Sequence, residues 1–463
     1  MDRKARSDRP SSTLRRALIG ISAGGLSGAA IIALVNLFRR HSNNGTQPEP
    51  LFAELIEYSL IQRRAFIIAA QNTISAIEER HLPDGKRKTV VNAGFRNFRE
   101  PWARDFGFAS YGLLELHEFR AVRETLEVFL EFQKEDGQFP IKVHSTSILV
   151  RSLFSMLKRQ QPITNPLRPR YTSGFKSISL DGNPLLVSAA VEYARKSGNV
   201  DFLREHWQQL TKALHWMETF APDADELVSQ GPYSDWADTV SRAGKVLYTN
   251  VVYWKALHDV AQAGKDFALG GDGDEFMKLA DRVQGSIKSH FWRPDLGHLV
   301  TSKQFEQLGA CGNLLAVAWG CVDEDAASSI FQKMDEFGMA DPLPTRPLNG
   351  HYPRKYIAPL TRLGGFPNYH EDVAWIWLGG WHIIALARHG RLVEAEMLLD
   401  RICTVIARDQ LVYEVYKSNG EHFSNIFYTA EAPLTWSAAM LVHAFNVYHR
   451  HPVRNVAEAD YLA

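Results

Sequence analysis

A surplus of one charge is the first thing this chain lacks. Its 52 lysines and arginines are matched by 52 aspartates and glutamates, so no net field draws it to nucleic acid or to an acidic partner. Cysteine is scarce as well. Cys311, Cys321 and Cys403 are the only three, too few and too scattered for a disulfide framework or a zinc site. No Gly-x-Ser-x-Gly elbow occurs, so nothing supports a Ser-His-Asp hydrolase. No phosphate-binding or dinucleotide glycine motif occurs either. Gly270-Gly271-Asp272-Gly273-Asp274 has the composition of a calcium loop without its spacing or its final glutamate, and reads as a turn. No cofactor and no metal are therefore expected, and oligomeric state is left open. An open helical solenoid would share a signature between its repeats, and none is visible.

Against these absences stands one long uncharged run. Residues 1–16 are basic, residues 17–38 carry no charge, and Arg39-Arg40 follow. About 20 apolar residues cross a bilayer as a helix. A cleaved signal peptide has a shorter apolar core and a small-residue cleavage site, and Val35-Asn36-Leu37-Phe38 offers a poor one. A membrane-spanning or signal-anchor helix is expected here, with residues 39–50 as linker and the remaining domain, 51–463, outside the cytoplasm. Arg15-Arg16 keeps a twin-arginine export signal as the weaker option.

Beyond residue 51, apolar positions recur at helical spacing in roughly a dozen segments, which come in consecutive pairs with short turns. One member of each pair opens on a loop rich in aromatic residues and acids, as at Trp102, Asp181, Leu247, Val373 and Pro433. Alternating inner and outer helices of a closed ring give this layout. The inner helices' starts then converge on one pocket. The most informative stretch is residues 234–257. There Asp235-Trp236-Ala237-Asp238 precedes a turn and a helix bearing Tyr248, Asn250, Tyr253 and Trp254. Flat rings beside amides and carboxylates suit a sugar: faces for its ring, forks for its hydroxyls.

These residues resemble the general-acid segment of glycosidases built on an (α/α)6 toroid. That group includes amylo-α-1,6-glucosidase-like (glycogen-debranching) proteins, processing α-glucosidases, neutral invertases and trehalases. Three further segments follow in the same order. Trp102-Ala103-Arg104-Asp105 resembles a segment lining the terminal sugar pocket. Tyr413-Glu414-Val415-Tyr416 resembles the segment carrying the general base. Gly420 and Thr435-Trp436-Ser437 then follow as they do in that group. The resemblance implies an all-α six-hairpin toroid and an inverting glycosidase, with an α-glucoside favoured over sucrose or trehalose.

It also implies roles. Asp238 is the proton donor, with Asp235 the alternative one helical turn away. Glu414 is the base, with Glu421 and Glu431 as competitors. Trp102, Arg104, Asp105, Trp236, Asn250, His370, Trp377 and Trp436 line the substrate pocket. Asp181 reads as a helix cap or a further pocket acid. Two other readings stay open: a carbohydrate-binding ring without turnover, and a sugar epimerase using His370.

Overall fold

The structure is a computed structural model that describes residues 59–452 apart from 158, 271, 272 and 427. By its contacts the chain divides into Met1–Arg63 and Arg64–Ala463. Of the first unit only residues 59–63 are described, and they belong to the opening of a helix. The expected membrane segment, residues 17–38, lies outside the described residues. Among those described, no helix is long and apolar enough to cross a membrane.

Helix α1 (Leu60–Ser75) is followed by α2 (Ala103–Glu115), α3 (Phe119–Glu131), α4 (Ile148–Met156), α5 (Gly182–Ser197), α6 (Val200–Glu218) and α7 (Leu247–Asp266). Then come α8 (Gly273–Phe291), α9 (Ala310–Ala318), α10 (Glu324–Glu336), the short α11 (Pro359–Leu363), α12 (Ile376–Arg388), α13 (Leu392–Asp409) and α14 (Thr435–His449). Six of them close a ring: α2 packs on α5, α5 on α7, α7 on α9, α9 on α12, α12 on α14, and α14 back on α2. Sequence explains which helices are inside. Every residue of α12 from Ile376 to Ala387 is buried, as is every residue of α14 from Thr435 to Asn446. A helix apolar all round needs protein on all sides. The outer helices carry one stripe only. In α8 it is Phe276, Leu279, Ala280, Val283 and Ile287, the spacing of a single helical face. Helices α3, α6, α8, α10 and α13 each follow their inner partner. Helix α1 lies outside α14, with Phe66 5.2 Å from Phe445.

The expectation of an all-α chain needs correction in its loops. Five small sheets join the helices. They are β1 (Ile77–His81) with β2 (Arg87–Val91), β3 (Lys142–His144) with β4 (Arg168–Arg170), β5 (Ser229–Gln230) with β6 (Gly244–Lys245), the set β7 (Trp292–Arg293), β8 (His298–Ser302) and β9 (Phe305–Leu308), and β10 (Ala374–Trp375) with β11 (Val415–Tyr416). Strand β9 takes residues that helical spacing would assign to the start of α9. These strands fasten one end of the ring. The residue before an inner helix is extended at Trp102, Val246, Gly309, Trp375 and Leu434. Each bridges another loop: Trp102 to Lys142, Val246 to Ser302, Gly309 to Leu348, Leu434 to Gly94, and Trp375 to Val415.

Aromatic rings fill the ring's axis. Phe108 touches Trp377, Trp381 and Trp436, and Trp381 in turn touches Tyr111 and Trp319. The interior is therefore plugged, and a site at either end is a pocket rather than a channel.

Candidate active site

At the strand-fastened end, Arg104 on the first turn of α2 points across to the start of α5. Its Nε is 2.5 Å from Asp181 Oδ2, and its Nη2 donates to Asp181 Oδ1 at 3.2 Å and to Ser179 Oγ at 3.0 Å. Asp181 is fully buried. It makes no side-chain cap bond and instead also accepts from Tyr248 Oη at 3.0 Å. Arg104 pairs with Asp181 and not with its neighbour Asp105. Its Nη1 is 3.8 Å from Asp238 Oδ2.

Asp238 keeps 44 % of its side-chain surface, yet protein crowds it. Burial pushes its carboxyl up to about 6; Arg104 pulls the other way, and the charges of Asp235, Asp181 and Glu414 add to the rise. Access for water and dense protein surroundings coexist in a concavity, the setting in which a carboxyl holds a proton near neutrality. Asp105 is in the same field. Burial raises it to about 7 against Arg104, with Asp238 and Glu414 contributing. Three carboxyl groups thus titrate under each other's influence.

Asp235 differs in kind. It is 1 % exposed. Its Oδ1 accepts from Arg242 Nη2 at 2.6 Å and from the Ala237 amide at 2.9 Å, and its Oδ2 from Gln230 Nε2 at 2.8 Å. Arg242 also donates to Tyr352 Oη. Buried and tied into an ion pair, Asp235 holds the loop in shape.

Glu414 is buried just before β11, which pairs with β10. Tyr369 donates to its Oε1, Tyr428 to its Oε2, and the Glu431 amide to Oε2 at 3.2 Å. Burial raises the pKa of its carboxyl above the usual range, and those three donors oppose the rise. A carboxylate has about four acceptor positions. With Oε2 taking two donors and Oε1 one, a position is left on Oε1.

The competing acid Glu431 is fully buried and accepts the amides of Phe95 and Asn97 at 2.8 Å and that of Arg96 at 2.5 Å. It organises the loop before α2. Glu421 is exposed and bonds Asn419.

The remaining pocket residues divide. Trp236, His370, Trp375 and Trp377 form one aromatic cluster with ring centroids 5.0–5.6 Å apart around Trp236. Trp436 stacks on Trp377 at 4.6 Å. Trp102 is partly exposed, with Lys142 over its ring. Trp377 itself is completely buried, so it sits beneath this cluster as core. Asn250 is likewise fully buried; its amide bonds the Val228 backbone twice and the Val246 carbonyl once. That use is structural, where a pocket amide was expected. His370 is 2 % exposed and shares a hydrogen bond with Thr239 Oγ1 at 2.8 Å. Burial, then the charges of Arg242 and Arg104, hold its pKa well below the usual value, so it is a neutral ring. Among the described residues, no group of three or more His, Cys, Asp or Glu side chains is placed to hold a metal ion.

Sequence reasoning missed Tyr369, Tyr428 and Arg242; of the two readings of Asp181, the helix cap is not formed and the acid instead anchors Arg104. Tyr369 stands directly before the singled-out His370. For Tyr428 no local signal exists, since its function lies in reaching a residue on another strand.

Comparison with known proteins bears on the fold. Residues 154–337 match the model of the bacterial α-L-rhamnosidase six-hairpin glycosidase domain, a stretch that holds Asp238 but not Glu414. No curated protein matches the chain in sequence. Among solved structures, a GH63 mannosylglycerate hydrolase from Thermus thermophilus aligns at TM-score 0.60 and 12 % identity, over 83 % of this chain and 99 % of that one. A rhamnosidase from Klebsiella oxytoca with rhamnose bound aligns at TM-score 0.58 and 14 % identity, over 84 % of this chain but only 64 % of the rhamnosidase. The chain has the six-hairpin glycosidase fold.

Proposed function

We propose that the chain is a glycoside hydrolase acting with inversion, with Asp238 as proton donor and Glu414 as base, on an α-glucosidic bond. One observation carries the reading. A solvent-reachable carboxyl held at about 6 stands in the electrostatic field of a second carboxylate locked by two tyrosines. Hydrolysis of a glycosidic bond needs such a division of labour. Asp238 gives its proton to the departing oxygen. Glu414, through the open position on Oε1, takes a proton from water arriving on the opposite face of the sugar. Arg104, anchored on Asp181, fixes the Asp238 side of the pocket, and Trp102 and Asp105 supply a face and a fork for the ring. The matches to a rhamnosidase domain model and to a mannosylglycerate hydrolase support the reaction class and bring α-L-rhamnosides and mannosylglycerate into the test beside α-glucosides.

The assay is release of monosaccharide from that panel, followed by variants on the best substrate. Asp238→Asn and Glu414→Gln are each expected to lose roughly 10²–10⁴-fold in turnover. With the matching glycosyl fluoride, whose leaving group needs little protonation, Asp238→Asn should recover and Glu414→Gln should not. Asp235→Asn should instead unfold at lower denaturant, because breaking a buried pair costs about 3–5 kcal/mol. Recovery by Asp235→Asn with an unaffected Asp238→Asn would reverse the assignment of the acid. Sugar binding without turnover on the whole panel would favour the non-catalytic reading. Interconversion of epimers would favour the epimerase.

A further inference from the structure

The other end of the ring carries a cavity that the reaction does not use. Its volume is about 380 Å³, within the range of small-molecule sites. All six inner helices reach it, α7 at its middle and the other five near their C-terminal ends, through Tyr111, Glu192, Lys255, Trp319, Arg388 and Asn446 among others. Helix α2 separates it from Arg104 by two to three turns, so it lies about 10–16 Å from Arg104 at 1.5 Å per residue.

Two features show that this cavity is built rather than left over. Asn446 is 8 % exposed and its Nδ2 has no hydrogen-bond partner. His443, 7 % exposed, pairs through Nδ1 with Glu115 Oε1 at 3.4 Å, and its Nε2 has no hydrogen-bond partner. Buried polar groups find partners, and these two line the cavity. Arg388 is solvent-facing, donates only to the Ala318 carbonyl, and has no carboxylate within ion-pair distance among the described residues.

The lining also selects the ligand's chemistry. It presents carboxylates (Glu115, Glu192), cations (Lys196, Lys255, Arg388, Arg450) and two aromatic residues. Five of the six inner helices end here, all but α7, each bringing roughly half a negative charge at its C-terminus. That offsets the excess of two cations, so neither a strong anion nor a strong cation is favoured. Acceptors and donors are both on offer, beside the Trp319 ring over which Lys255 lies. A neutral molecule dense in hydroxyls matches this mixture.

We propose that this cavity is a second carbohydrate site, taking a neutral mono- or disaccharide without cleaving it. The proposal does not depend on the catalytic reading, because it is tested by binding. Glucose, mannose, rhamnose and maltose are titrated calorimetrically into the full chain and its variants. At least one sugar should give two classes of site. Asn446→Leu and Trp319→Ala should each weaken one class at least tenfold and leave the other unchanged. Arg388→Met, at an exposed position that cannot unfold the ring, should weaken the same class several-fold. Trp102→Ala should affect only the other class. A single class of site, or two classes insensitive to all three distal variants, overturns the proposal. Inorganic phosphate competing fully with the sugar would overturn the ligand class.

Discussion

Two hydroxyl groups, those of Tyr369 and Tyr428, temper how far burial raises the carboxyl of Glu414. Both donate to its carboxyl oxygens, and a hydrogen bond to the charged form lowers a pKa. They work against burial, which raises it. In the proposed mechanism, hydrolysis needs Glu414 ionised and Asp238 protonated. Activity is therefore lost on the acid side as Glu414 takes up a proton, and on the alkaline side as Asp238, at about 6, gives its proton up. A bell-shaped kcat/KM profile with its optimum on the acid side of neutrality is expected. Tyr428→Phe removes one donor, so the acid limb should move to higher pH while the alkaline limb stays. A tenfold change in the protonation equilibrium, one pH unit, corresponds to about 1.4 kcal/mol. A profile measured from pH 4 to 9 checks this. Movement of the alkaline limb alone would show that Tyr428 acts on a different group. Asp238 and Glu414, the proposed acid and base, both stand out in the sequence as carboxylates in aromatic loops. Their partners do not, because Asp181, Tyr369 and Tyr428 act across distances in sequence that no local pattern encodes.

Among the elements, the inner helices are held by close approaches that only small residues permit. A Cβ on Gly112 of α2 would lie 2.1 Å from the Ala439 carbonyl oxygen of α14, and one on Gly380 of α12 would lie 3.0 Å from the Met440 carbonyl oxygen. Neither glycine has an unusual φ, so the requirement is one of space. Gly112→Ala is expected to push α2 off α14 and cost about 1–3 kcal/mol as overpacking, read as a lowered denaturation midpoint. Gly85, at a turn and with open space where its Cβ would be, gives a contrast. Its φ of +84° makes Gly85→Ala a backbone effect with no packing component. Equal stability of Gly112→Ala and the native chain would mean that the ring tolerates a wider seam. Helix boundaries from residue 103 onward follow the apolar spacing closely, since burial and periodicity have the same cause there. The strands were far less legible. They are two to five residues long and owe their form to pairing between loops. Helix α4 was passed over because its apolar residues Leu149 and Leu153 face solvent instead of a core.

For the molecule as a whole, ring closure was inferred from the alternation of helix pairs, and the contact between α14 and α2 completes it. What joins the ring to a compartment is a separate question carried by residues 17–38. Among residues 1–40 this is the longest stretch free of charge, and basic residues bound it on both sides. At 1.5 Å per residue a helix of that length exceeds the roughly 30 Å hydrocarbon core. The larger number of lysines and arginines before it favours an N-terminus inside and the ring outside. We therefore expect the full chain to sediment with membranes, to resist a carbonate wash and to be released by detergent. A chain beginning at Leu51 should stay in the supernatant with unchanged kcat/KM, since every residue assigned to the pocket lies beyond Trp102. Protease added to intact spheroplasts should degrade the ring if it faces outward and spare it if it faces the cytoplasm. Equal solubility of the two chains would remove the tether and leave the pocket chemistry as it stands.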